Sequence, residues 1–164
     1  MKMVLPEFIP GLQLSDKFYW EVVRPILGRH FPGLAHSATL IGYGSDVLGF
    51  DTPVSRDHMW GPRLVLFLPA KDFDCTRQSV DEVLRQELPV RFYGYSTHFS
   101  KPNSLDQGVR VMEDIDKGRV EHLIEIETIL GYWQRTGRVD PFLNPTVTEW
   151  LTIPQQQLLE WTAG

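Results

Sequence analysis

Gly44-Ser45-Asp46-Val47-Leu48-Gly49-Phe50-Asp51, then Asp57-His58-Met59-Trp60-Gly61-Pro62-Arg63, then Leu64-Val65-Leu66-Phe67-Leu68 closed by Pro69, are the stretches that decide how this chain is read. The third is a continuous apolar run, the pattern of a central strand covered on both faces. The first contains a small-residue turn. Glycine there lets the main chain approach a ligand closely and serine adds a hydroxyl, so the turn can cradle phosphate oxygens. Alone, a Gly-Ser pair is more often an ordinary strand-ending turn. Its weight comes from Asp57, twelve positions after Ser45 and just ahead of the strand. Two carboxylates at i and i+2 on a strand share one face and can hold two Mg²⁺ ions against a triphosphate. The second slot here is Met59, whose soft sulfur is a poor ligand for a hard cation, and alternation turns His58 to the opposite face.

Working outward, Ser15 reads as an N-cap, and a helix is expected from there to about Arg29. Phe18, Tyr19, Val22, Val23, Ile26 and Leu27 form its apolar stripe, and Pro25 is expected to kink or divide it. Residues 37–43 read as a first buried strand running into the Gly44-Ser45 turn. A short helix is expected over 79–87, and strands over 90–95, 109–112 and 121–127. Asp72 and Asp74 follow Lys71 in an expected solvated turn, and Cys75 is expected to be buried or inert. From Asn144 the pattern becomes helical, with Thr148 as a cap and Pro154 at a first helical position. The order predicts an α/β (α+β) chain: a mixed sheet with helices mainly on one face and a helical C-terminal end. Residues 1–143 are expected to form the domain. Residues 144–164 are expected to be an extension, either cut short or docking on a partner.

The 164 residues, 42% hydrophobic and 23% charged, suit one domain with a real core. A net charge of -5 and a pI near 5.5 argue against a dedicated nucleic-acid surface and favour a nucleotide or other small molecule. One cysteine excludes an internal disulfide, no apolar run is long enough to span a bilayer, and the start lacks a signal-peptide pattern. A cytoplasmic location and no membrane association are expected.

The Gly44-Ser45 turn followed by the Asp57 box resembles the signature of the polymerase-beta-like nucleotidyltransferase superfamily, in which a Gly-Ser pair precedes Asp-x-Asp or Asp-x-Glu. The likeness covers nearly the whole chain. Phe8-Ile9-Pro10-Gly11-Leu12, the 44–51 segment, the 57–63 box, Gly94-Tyr95-Ser96-Thr97 and the closing Trp150-Leu151 to Leu158-Leu159 segment look like an uncharacterised bacterial family of nucleotidyltransferase-like proteins. In that family the box usually reads Asp-His-Asp-Trp-Gly-Pro-Arg and a longer helical region follows; this chain departs on both counts. The resemblance implies Mg²⁺-dependent transfer of a nucleotidyl group from a nucleoside triphosphate to an unknown acceptor. Asp57 and a third acid from a later strand would carry the metal, and Gly44, Ser45 and Arg63 would bind the nucleotide. Leu123-Ile124-Glu125-Ile126-Glu127 supplies that third acid, Glu125 as first choice and Glu127 as second.

Each residue has a plainer alternative. Asp57 can be a loop acid making a turn hydrogen bond. Glu125 and Glu127 can be the wet face of a half-exposed strand, and Arg63 can pair with a carboxylate instead of a phosphate. Asp46 or Asp51 could move in for the missing second acid. Met59 leaves two functional classes standing: an impaired transferase, or a catalytically inactive domain that binds a nucleotide or a protein. Self-association or a protein partner through the C-terminal helix is the third expectation.

Overall fold

A computed structural model describes residues 6–56, 59–137 and 139–162; Asp57 and His58 lie outside the described residues. The chain is mixed α/β. Helix α1 (Gly11–Phe18) follows Pro10, a π-turn spans Tyr19–Val23, and α2 covers Arg24–His30. The π-turn is how the helix absorbs Pro25. The Arg24 N–H reaches back to the Tyr19 carbonyl, and Pro25 then enters the first turn of α2, where a missing N–H costs nothing. Ser15 is not the cap expected of it. It sits inside α1, buried, and its hydroxyl donates to the Arg63 carbonyl at 2.7 Å, so a neighbouring strand takes the hydrogen bond a cap would have made.

β1 (Ser37–Thr39), β2 (Arg63–Phe67) and β5 (Leu123–Glu127) form a three-stranded sheet in the order β1-β2-β5. β1 runs antiparallel to β2 with Ala38 opposite Leu66, and β5 runs parallel to β2 with Val65 opposite Glu125, so the sheet is mixed. Between β2 and β5 come α3 (Ala70–Glu87) and a small hairpin, β3 (Arg91–Phe92) and β4 (Tyr95–Ser96). Its central residues Tyr93 and Gly94 have φ of 48° and 83°, the two positive values that a type I′ turn demands. The chain closes with α4 (Ile129–Thr136), α5 (Val147–Trp150) and α6 (Gln155–Thr162). α5 is capped by Thr146, not Thr148, through a reciprocal capping box with Glu149.

Three further expectations are corrected. α3 begins at Ala70, so Lys71, Asp72 and Asp74 are helical, with Asp72 in the first turn, where a carboxylate is favoured. Cys75 is exposed on that helix. Residues 109–112 form no strand; Val109 and Met112 make only isolated bridges to Asn103 and Phe99.

Alternation divides the sheet. Leu64, Leu66, Ile124 and Ile126 face a core that also takes Leu14, Phe18, Ile26 and Leu27 from α1 and α2 and Val80 and Leu84 from α3. Glu125 and Glu127 lie on the opposite face, where α4 brings Tyr132 edge-on against Phe67 at 5.5 Å. Helices α1, α2 and α3 therefore share one face and α4 lies over the other. No described helix is long and apolar enough to cross a membrane.

His122 ties β5 to α3. Buried at 3% exposure, it accepts the Ile124 N–H at Nδ1, which leaves the proton on Nε2, 3.5 Å from Asp81 Oδ1. Burial pushes its pKa down to about 4, with Arg85 and Arg110 adding to the effect against Asp81. At neutral pH the contact with Asp81 is thus a neutral ring facing a carboxylate, not an ion pair. The unfolded chain takes up this proton near pH 6.5 and the native state resists until about pH 4. The contribution of His122 to stability is therefore complete above pH 6.5 and is lost as pH falls from there toward 4. Over that interval the native chain is expected to lose roughly 3 kcal/mol. His122→Gln should flatten this part of the curve in urea unfolding, and an unchanged slope would contradict the assignment.

Candidate functional site

The Gly44 turn is organised from beneath by a buried ion pair. Arg63, at the start of β2, donates through Nη2 to Asp46 Oδ1 at 2.7 Å and to the Tyr43 carbonyl at 2.8 Å. Their side chains are 5% and 2% exposed. Gly44 has φ 121°, and a Cβ there would collide with Asp46 Oδ1 and the Arg63 guanidinium, so this position requires glycine on both counts. Gly11 closes the other side: a Cβ on it would stand 2.5 Å from the Asp46 Cβ. Asp46 Oδ2 and Arg63 Nε have no hydrogen-bond partner among the described residues, so each ion carries unrelieved desolvation.

Above this pair lies Tyr43. Its ring stands 5.2 Å from the Arg63 guanidinium, and its hydroxyl donates to Glu125 Oε1 at 3.2 Å. Burial and then the Glu125 charge push the Tyr43 pKa up to about 12, so the phenol keeps its proton throughout the neutral range. Arg135 of α4 donates to Glu125 Oε2 at 2.7 Å and stands 3.5 Å from Glu127 Oε1. Burial and the same Glu125 charge raise the Tyr132 pKa. α6 completes the wall. The Gly42 N–H donates to the Glu160 carbonyl at 3.0 Å, Gln157 donates to the Thr136 carbonyl, and Trp161 packs on Trp133 at 4.3 Å. Together they enclose a cleft of about 220 Å³ whose lining includes Tyr43, Glu125, Tyr132, Arg135, Gln157 and Trp161.

Of the residues expected from sequence, Gly44, Arg63 and Glu125 gather around Tyr43, and Glu127 joins Glu125 under Arg135. Ser45 is exposed beside them; its carbonyl accepts the Phe50 N–H at 2.8 Å. Arg63 spends its guanidinium on Asp46 and Tyr43, the carboxylate alternative. Neither proposed substitute for the missing acid is free. Asp46 is buried in its pair, and Asp51 Oδ2 accepts from the Gly11 N–H at 2.7 Å and the Trp60 indole at 2.9 Å. Met59 is not on a strand. With φ 49° it turns away from alternation, donates its N–H to the Arg110 carbonyl at 3.0 Å, and takes the Arg110 N–H on Sδ at 3.1 Å. Asp57 lies outside the described residues.

Both Glu125 oxygens already accept hydrogen bonds, Oε1 from Tyr43 and Oε2 from Arg135, so a Mg²⁺ ion on this carboxylate would compete with the Arg135 charge. Among the described residues, no group of three or more metal-ligating side chains gathers at one point. The pattern of Tyr43, Tyr132 and Arg135 around two glutamates was missed in sequence, because α4 approaches β5 only through tertiary packing. The one local signal was Tyr43 standing between two glycines.

Removing one member of the Asp46–Arg63 pair strands the other charge in the interior. Asp46→Ala is expected to cost about 3–5 kcal/mol in urea unfolding, with most of it recovered when Asp46→Leu is combined with Arg63→Met. A loss below about 1 kcal/mol would mean that water reaches the pair. Compared with known families, with curated proteins and with solved structures, the chain has no match.

Proposed function

We propose that this chain is a catalytically inactive nucleotide-binding domain whose ligand lies in the Tyr43 cleft. The observation that carries the reading is the Glu125–Arg135 pair, which keeps the carboxylate a transferase would need closed inside the protein's own charge balance. Tyr43 and Trp161 offer ring surfaces on which a base can stack. Arg135, half-exposed, is the cation within reach of a phosphate, and the N–H groups of the neighbouring Gly44-Ser45 turn can add to it. Mg²⁺-dependent transfer to an acceptor is the competing reading. It needs Asp57 together with a Glu125 released from Arg135.

Calorimetric titration with the four nucleoside triphosphates, with and without Mg²⁺, separates the two. Binding without metal is expected, weakened about tenfold by Arg135→Ala and unchanged by Asp57→Asn. Binding that requires Mg²⁺ and disappears in Asp57→Asn would restore the transferase. No binding in any condition would end both.

A protein-interaction role through the C-terminal segment is supported by a separate observation. Phe142, Leu143, Val147 and Leu151 are 62%, 77%, 76% and 79% exposed within ten residues of chain. If they pair two copies, sedimentation will show a concentration-dependent dimer that Leu151→Glu returns to monomer. A strictly monomeric chain would remove this reading.

A further inference from the structure

A second cavity, of about 270 Å³, lies between α1 and the outer strand β1 and shares no described lining residue with the Tyr43 cleft. Leu12, Leu40 and Leu64 supply apolar surface, the last two buried at 4% and 2% exposure. Tyr19 and Trp20, at the start of the π-turn, stand edge to face at 5.2 Å and supply the aromatic wall. Asp16 is the one charged residue of the described lining. Its Oδ1 accepts the Trp20 indole N–H at 3.1 Å, which fixes the carboxylate beside the ring. Asp16 forms no ion pair with any described residue. Trp20 is 51% exposed, and the Arg24 guanidinium stands 4.5 Å from its ring centroid, so one cation already uses this indole.

We propose that this cavity binds a small protonated amine carrying a compact apolar group. The ammonium sits at Asp16 beside the two aromatic rings, and the apolar body covers the leucines. A charge-assisted hydrogen bond to the carboxylate and attraction to the ring faces act on the same cationic head. Burial of the body removes apolar surface from water. The alternatives are selected against by the same residues. An anion meets Asp16 as a like charge, and a neutral apolar molecule desolvates that carboxylate without giving it a partner. Arg24 stands outside the described lining.

The test compares 2-phenylethylamine with its neutral counterpart 2-phenylethanol on the intact chain at neutral pH, following the Trp20 indole N–H by NMR. Trp20→Phe assigns that resonance among the five tryptophans. The amine is expected to give saturable shifts and the alcohol to bind at least about tenfold more weakly. Asp16→Asn should lower amine affinity by about tenfold and leave the alcohol unchanged. Asp16 is exposed, so this variant should fold, and retained dispersion of the spectrum will report that it has. Equal affinities for amine and alcohol, amine binding indifferent to Asp16→Asn, or no saturable shift with the amine would each overturn the proposal.

Discussion

The contact between Asp46 and Arg63 is the constraint on which the arrangement depends. It joins the turn after β1 to the first residue of β2, it holds the Tyr43 carbonyl, and it leaves room for no side chain at Gly11 or Gly44. The middle of α1 is drawn to the same strand, since Ser15 donates to the Arg63 carbonyl. Helix, turn and strand thus converge on one buried pair. Such a pair is a weak source of net stability, because desolvation offsets most of its attraction. What it supplies is position: the turn has one geometry in which both charges are partnered.

The cleft above inherits that geometry and adds a second level of charge compensation. Arg135 binds Glu125 and faces Glu127, while Tyr43 adds a phenolic hydrogen bond whose proton is held firmly. An acidic strand face read alone suggests a metal site. With the guanidinium of α4 laid across it, one of the two negative charges of that face is compensated, and its aromatic border becomes the surface a ligand would meet first.

The sequence made the central strands legible, because Leu64 to Leu68 and Leu123 to Glu127 carry patterns that need no partner to interpret. Features set by distant contacts were not legible. Ser15 looked like a cap because nothing local announces the Arg63 carbonyl. Asp72 and Asp74 looked like part of a solvated turn because they follow closely on Pro69, although a proline just before a helix is equally compatible with its start. Residues 109–112 had strand composition but find only single bridges. Met59 was judged by its place in an assumed strand, and its left-handed backbone removes that assumption. In the candidate site, Gly44, Arg63 and Glu125 could be named in advance, and Asp46 only as a substitute acid; its pairing with Arg63, and Arg135 altogether, could not.

Arg110 carries a consequence for how the irregular segment before β5 is held. Its guanidinium donates to the carbonyls of Ser100, Glu121 and His122 at 2.7, 3.1 and 3.1 Å, while its backbone engages Met59 from the other side. One planar side chain thus serves three main-chain acceptors, of which the Glu121 carbonyl also takes the Phe99 N–H. The segment before β5 thus has three of its carbonyls held by one residue. Lysine, a point charge without the fork, is no equivalent there: the carbonyls it left unserved would be open to pairing with another chain.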